Sequence, residues 1–174
     1  MSMKRLSAFI VCSGVLGSAV NATPSGHLAF ADLTSVNGQP ALCLPERAKA
    51  PFAVGWVILT ERSARNAGVW GLQLKEGATP LMLKPGECFT YGVVPQAYEL
   101  MKLGANERPL ALAMNNTYSF RLHSALQSTD VYTVAFCVGQ GRGGMFEFYK
   151  RSSSSSREKL GAPCKATKDN NVSE

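Results

Sequence analysis

Turn residues placed at short, regular intervals predict an all-β fold, and an antiparallel immunoglobulin-like β-sandwich is the leading expectation. Three observations carry it. The chain shows about nine short apolar or alternating runs with turn signals every ~8–12 residues. Two of those runs, Phe52 to Thr60 and Val131 to Val138, are apolar on both faces and read as central strands. No helical pattern is longer than two turns. A small β-barrel is the alternative closure of the same strands.

Taken in order, His27 to Thr34 alternates loosely, with Leu28, Phe30 and Asp32 on one face and Ala29, Ala31 and Leu33 on the other. Asn37-Gly38 is the strongest short hairpin signal in the chain. The return strand, Ala41 to Leu44, carries Cys43 between Pro40 and Pro45, which suits an edge or a strand end. In Phe52 to Thr60, Val54, Trp56 and Ile58 oppose Ala53, Val57 and Leu59, and Trp56 reads as a core anchor. Glu61 to Gly68 is a charged loop. Val69 to Lys75 alternates strictly, Trp70, Leu72 and Leu74 against Gly71, Gln73 and Lys75.

Leu81 to Gly92 reads as strand, Pro85-Gly86 turn, strand, with Cys88 just beyond the turn. Tyr98 to Lys102 is a short strand or a turn of helix. Tyr118 to Ser124 alternates most cleanly, with Tyr118, Phe120 and Leu122 inward and Ser119, Arg121 and His123 outward. Met145 to Lys150 closes the series. Ser152 to Ser156 is a low-complexity loop, and the chain ends in a polar tail.

The beginning of the chain has another purpose. Lys4 and Arg5 precede the nearly uncharged Leu6 to Leu16, and Val20-Asn21-Ala22 offers small residues where a signal peptidase reads. Residues 1–22 are therefore expected to be a signal peptide, 23–151 the sandwich and 152–174 the Ser-rich loop and tail. Cleavage after Ala22 of the 174-residue chain leaves 152 residues, which suits one core. The net charge of +6 becomes +4, because Lys4 and Arg5 leave and no acid does. Cys12 raises a lipid anchor, but Val11 is bulky where a lipidated cysteine needs a small neighbour, so anchoring is the minority expectation.

Four cysteines remain: Cys43, Cys88, Cys137 and Cys164. An even number in an exported chain implies two disulfides, with three connectivities open. We expect Cys43–Cys88 and Cys137–Cys164, since Cys137 lies in a strongly apolar strand and Cys164 ends a loop that needs pinning. No CxxC points to redox chemistry or a zinc ribbon.

Other constellations are weak. Gly139 to Gly144 spells G-x-G-x-x-G, but a dinucleotide site needs a helix after it, and here a strand follows. The reading is a flexible hairpin loop, with Arg142 at a tip able to touch a partner. His27 and His123 have no HxH or HExxH context and would serve a metal or catalysis only if the fold joined them. Met82, Met101, Met114 and Met145 are too dispersed for a copper site. Asn115-Asn116-Thr117 and Asn171-Val172-Ser173 are glycosylation sequons that matter only in a eukaryotic cell. The basic C-terminal residues have no interleaved aromatics, so a nucleic-acid platform is unsupported.

Leu42-Cys43-Leu44-Pro45, Lys84-Pro85-Gly86-Glu87-Cys88-Phe89-Thr90-Tyr91-Gly92 and Tyr132-Thr133-Val134-Ala135-Phe136-Cys137-Val138 together resemble a bacterial family of periplasmic immunity proteins, often lipoproteins, associated with type VI secretion. The resemblance covers roughly Gly26 to Arg151. It implies a periplasmic protein that binds and blocks a toxic effector, with no enzymatic activity, cofactor, metal or nucleic-acid partner. An exported adhesin or surface-appendage accessory domain is a second expectation, and a small periplasmic hydrolase a third. Loops holding Arg62, Arg65 and Arg142 are the expected contact points, because arginine is favoured at interface hot spots.

Overall fold

The computed structural model describes residues 26–62 and 66–151, with residue 142 described by its backbone alone. The expected leader with Cys12, Arg65, Cys164, the Ser-rich loop and the second sequon lie outside the described residues. In chain order the strands are β1 (Leu28–Phe30), β2 (Asp32–Val36), β3 (Gln39–Cys43), β4 (Phe52–Glu61), β5 (Gly68–Leu74), β6 (Met82–Leu83), β7 (Cys88–Thr90), β8 (Tyr98–Leu100), β9 (Arg108–Pro109), β10 (Thr117–Ser124), β11 (Val131–Gln140) and β12 (Phe146–Lys150). The only helical turn among the described residues is a 3-10 turn, Arg142–Gly144.

The strands form an all-β sandwich that does not close into a barrel. A large sheet runs β1-β11-β10-β4-β5-β8, with β12 also on β11, β6 on β4 and β9 on β5. A small sheet runs β2-β3-β7. Pairing is mostly antiparallel, but β1 lies parallel to β11 and β9 parallel to β5. The two doubly apolar runs, β4 and β11, have neighbours on both sides, as expected. Between the sheets sit Leu42, Leu44 and Phe89 from the small sheet and Val54, Val57, Leu59, Leu72, Tyr118, Phe120, Leu122, Val134, Phe136 and Val138 from the large one.

Local chemistry explains most turns. Asn37 and Gly38 adopt φ of 52° and 75° and pair Val36 with Gln39, the two-residue hairpin that Asn-Gly favours. The Pro85-Gly86 turn also forms, with Glu87 N–H donating to Lys84 C=O at 2.9 Å and Gly86 at φ 83°. Its arms do not pair with each other, however. Met82–Leu83 joins β4 and Cys88–Thr90 joins β3, so the turn carries the chain from one sheet to the other. The run His27 to Thr34 splits likewise: Leu28–Phe30 joins β11, then at buried Ala31 the chain crosses and Asp32–Val36 joins β3.

β7 and β3 place Cys88 directly opposite Cys43, and the two form a disulfide. Leu44 N–H donates to Glu87 C=O and Tyr91 N–H to Pro40 C=O, so this cysteine pair falls at a non-hydrogen-bonded position, where side chains approach closest. At the start of β10 the Tyr118 hydroxyl accepts the Ala113 N–H at 2.8 Å, the tyrosine corner found in sandwiches of this kind. Across the other rim Lys150 Nζ meets Asp32 Oδ1 at 2.9 Å, an exposed pair worth ~0–1 kcal/mol.

Trp56 is not a core anchor. Trp56 pairs with His123 but Val54 pairs with Ser124, so β4 carries an extra residue at Gly55. That bulge shifts the alternation by one. Val54 and Val57 both face the core, and Trp56 is turned to the outer face of the large sheet. Gly55 is required there because a Cβ would stand 2.8 Å from the Ala125 backbone, whose N–H donates to Ala53 C=O.

Candidate functional site

Register places two rows of side chains across the outer face of the large sheet. Directly paired residues share a face. One row runs Leu28, Val131, His123, Trp56, Gln73, Glu99 across β1, β11, β10, β4, β5 and β8. The next runs Phe30, Thr133, Arg121, Ile58, Gly71. The β1 end of both rows is apolar and open: Leu28 is 66% and Phe30 58% exposed. At the β5 end Met101 closes over Gly71, its sulfur 2.7 Å from where a Cβ would stand. The open ground therefore extends from β1 to β4.

Its floor is an aromatic stack. The His123 and Trp56 rings lie 3.4 Å apart at 11°. Both imidazole nitrogens are buried, and neither makes a well-formed hydrogen bond. Burial holds the His123 pKa below its ordinary 6.5; the Ser128 backbone opposes this and the Arg121 charge adds to it. The ring is thus held neutral, an apolar surface rather than a cation. Arg121, beside it on β10, is exposed and makes no ion pair among the described residues.

A second polar feature lies at the opposite end of the sheet and is structural. Glu61, 8% exposed, accepts from Arg108 Nη2 at 2.6 Å, from Asn116 Nδ2 at 2.6 Å and from Gly68 N–H at 3.2 Å. Every partner is local to the loops that flank β4, β9 and β10, so the carboxylate ties these loops together. At one corner of the small sheet, Val36, Gln39, Thr90, Tyr91 and Val93 line a shallow concavity of about 420 Å³.

The residues expected from sequence fall as follows. Arg62 is exposed at the end of β4, its N–H bonded to Thr117 C=O. Arg142 opens the 3-10 turn between β11 and β12, and topology brings it to the same end of the sheet as Arg62. The G-x-G-x-x-G run is that hairpin connection, with Gly143 and Gly144 at φ 74° and 80°. His27 and His123 are not joined: His27 precedes β1, its N–H held by Asp130 Oδ1, while His123 faces Trp56. Cys137 is disulfide-bonded and almost fully buried. Asn115, in the first sequon, sits at φ 64° in the loop before β10.

Sequence reasoning missed Leu28, Phe30 and Trp56 as surface. One signal was present: Leu28 and Phe30 share their side of the alternation with charged Asp32, whereas the opposite side carries Ala29, Ala31 and Leu33. In comparisons with protein-family models, curated proteins and solved structures, no match to this chain is found.

Proposed function

We propose that this protein is an exported immunity protein that neutralises a toxic type VI secretion effector by binding it. The observation that carries the reading is the outer face of the large sheet, where exposed Leu28 and Phe30 on β1 lie one strand removed, across Val131 and Thr133 of β11, from the His123–Trp56 stack. Exposed apolar patches of this kind mark sites where another macromolecule docks. Continuous strand pairing from β1 through β11, β10 and β4 presents that face in one fixed shape, which lowers the entropic cost of association. The resemblance of the cysteine-bearing segments to periplasmic immunity proteins supplies the partner class.

The test is capture. Residues 23 to 174, purified oxidised and checked for free thiols, serve as bait against each product of the neighbouring genes. The expected result is one neighbour that kills when exported alone and is harmless when this protein is co-exported. A folded, oxidised bait that captures no neighbour and gives no protection sinks the reading.

A further inference from the structure

The proposed partner docks on the outer face of the large sheet, and Cys137 lies on that same face. We infer that the C-terminal segment of the chain is bonded to this face through Cys137–Cys164, covers its end around Thr117 and Tyr149, and so confines docking to the end that holds Leu28, Phe30 and Trp56. The confinement, though not the bond, rests on the immunity reading.

Register and bonding together identify the occupant. Phe136 and Val138, on either side of Cys137, are fully buried in the core between the sheets, so strand alternation turns Cys137 outward. Its cross-strand neighbours on that side are Thr117 of β10 and Tyr149 of β12. Cys137 is nonetheless only 2% exposed, and Ser119, paired with Ala135 on the same face, 6%, against 66% for Leu28 and 58% for Phe30. Cys137 is also disulfide-bonded. Cys43 and Cys88 are bonded to each other, and the chain has two further cysteines, Cys12 and Cys164, both outside the described residues.

Position and processing select Cys164. Arg151 N–H donates to Ala135 C=O at 2.8 Å, so the chain leaves β12 beside β11, two residues or ~7 Å from Cys137 along that strand. Cys164 follows Arg151 by thirteen residues, a span that reaches ~40 Å when extended, so the bond closes without stretching the chain. After five serines, the apolar side chains of that span, Leu160, Ala162 and Pro163, all stand close to Cys164, which puts the part able to pack beside the bond. Cys12 would arrive from the other end of β11: His27 is held to Val131, six residues or ~20 Å from Cys137. It also belongs to the expected leader, which leaves on export. In closing the bond each thiol gives up one proton and one electron, and the electron pair passes to a disulfide oxidant such as oxidised glutathione, which becomes two thiols.

The first readout is a disulfide map of the full chain, exported, purified oxidised and digested with trypsin without reduction. The expected product joins the peptide Leu122 to Arg142 with the peptide Leu160 to Lys165. The second is maleimide labelling of Cys164→Ser. Its Cys137 thiol, uncovered on the outer face, should react in the folded protein within about tenfold of its rate in urea (an order-of-magnitude expectation). The third uses the captured neighbour: Phe30→Glu should weaken capture by about tenfold or more, whereas Tyr149→Glu should leave it within about twofold.

Cys137 joined to Cys12, or to a cysteine of a second copy in a dimer, overturns the inference, and so does a Cys137 that alkylates without reduction. A Cys164→Ser protein that keeps its tryptophan fluorescence yet leaves Cys137 unlabelled also overturns it, because the strands then cover the sulfur unaided. Where Cys164→Ser does not fold, the wild-type protein after mild reduction gives the same measurement. The two readings fail separately. The bond is mapped without any partner, so the expected map with no captured neighbour keeps the clasp and removes the immunity reading. A neighbour whose capture is weakened by Tyr149→Glu and not by Phe30→Glu keeps the immunity reading and removes the confinement.

Discussion

Glu61 shows how one side chain can hold three loops. Glu61→Ala would leave the Gly68 N–H and the Asn116 amide without their acceptor, while Arg108, 46% exposed, can turn to water. The expected loss is about 1–3 kcal/mol in urea unfolding, with Glu61→Gln losing less because the amide oxygen still accepts. An unchanged midpoint for Glu61→Ala would remove the network from the account of stability. His123 gives a pH signature. Its folded pKa lies below 6.5, so the unfolded chain binds the proton more readily. Its contribution is intact above pH ~6.5 and is lost as pH falls through the folded pKa. The urea midpoint should therefore drop between pH 7.5 and pH 5.5, and His123→Phe should flatten that dependence. A slope unchanged by the substitution contradicts the buried, neutral ring.

Single turns were legible from sequence because their chemistry is local; strand partners were not. Asn37-Gly38 and Pro85-Gly86 turn as their residues dictate. Whether the arms of a turn pair with each other depends on distant strands competing for the same edges. β4 attracts Met82–Leu83 and β3 attracts Cys88–Thr90, so an expected hairpin became a bridge between sheets. The strict alternations of β5 and β10 were read correctly because each keeps one apolar face. β4 is apolar on both faces, so its sequence does not reveal a bulge. Only the close approach of Ala125 to Gly55 fixes which side Trp56 occupies. Gly55→Ala would set a Cβ 2.8 Å from that backbone and should cost about 1–3 kcal/mol. It should also disturb the Trp56–His123 stack, visible as a change in tryptophan fluorescence. A variant as stable as wild type, with unaltered emission, would place the bulge elsewhere.

For the whole molecule, two sheets bridged at one rim by Lys150–Asp32 enclose one apolar core, with Cys43–Cys88 locking β3 to β7 inside the small sheet, and among the described residues the outer face of the large sheet stays open. The chain's formal charge of +6 makes association with the proposed partner, if acidic, salt-dependent: the on-rate should fall severalfold between 50 and 300 mM salt on the order-of-magnitude scale of electrostatic steering. A salt-independent on-rate would remove charge from the recognition. By itself the sequence determined the all-β class, the two central strands, the Asn37-Gly38 and Pro85-Gly86 turns and the inward face of β10, because each follows from local backbone preference or from where an apolar side chain must go; it left three disulfide connectivities open, and the expected Cys43–Cys88 bond is the one that the pairing of β3 with β7 forms. Tertiary structure alone decided that Leu28–Phe30 would leave its neighbours and lie parallel to β11, that Trp56 would turn outward onto His123, and that Glu61 would be buried among Arg108, Asn116 and Gly68. Those outcomes depend on which distant strand pairs best with an edge and on backbone approaches between segments far apart in the chain, and no local pattern of residues records them.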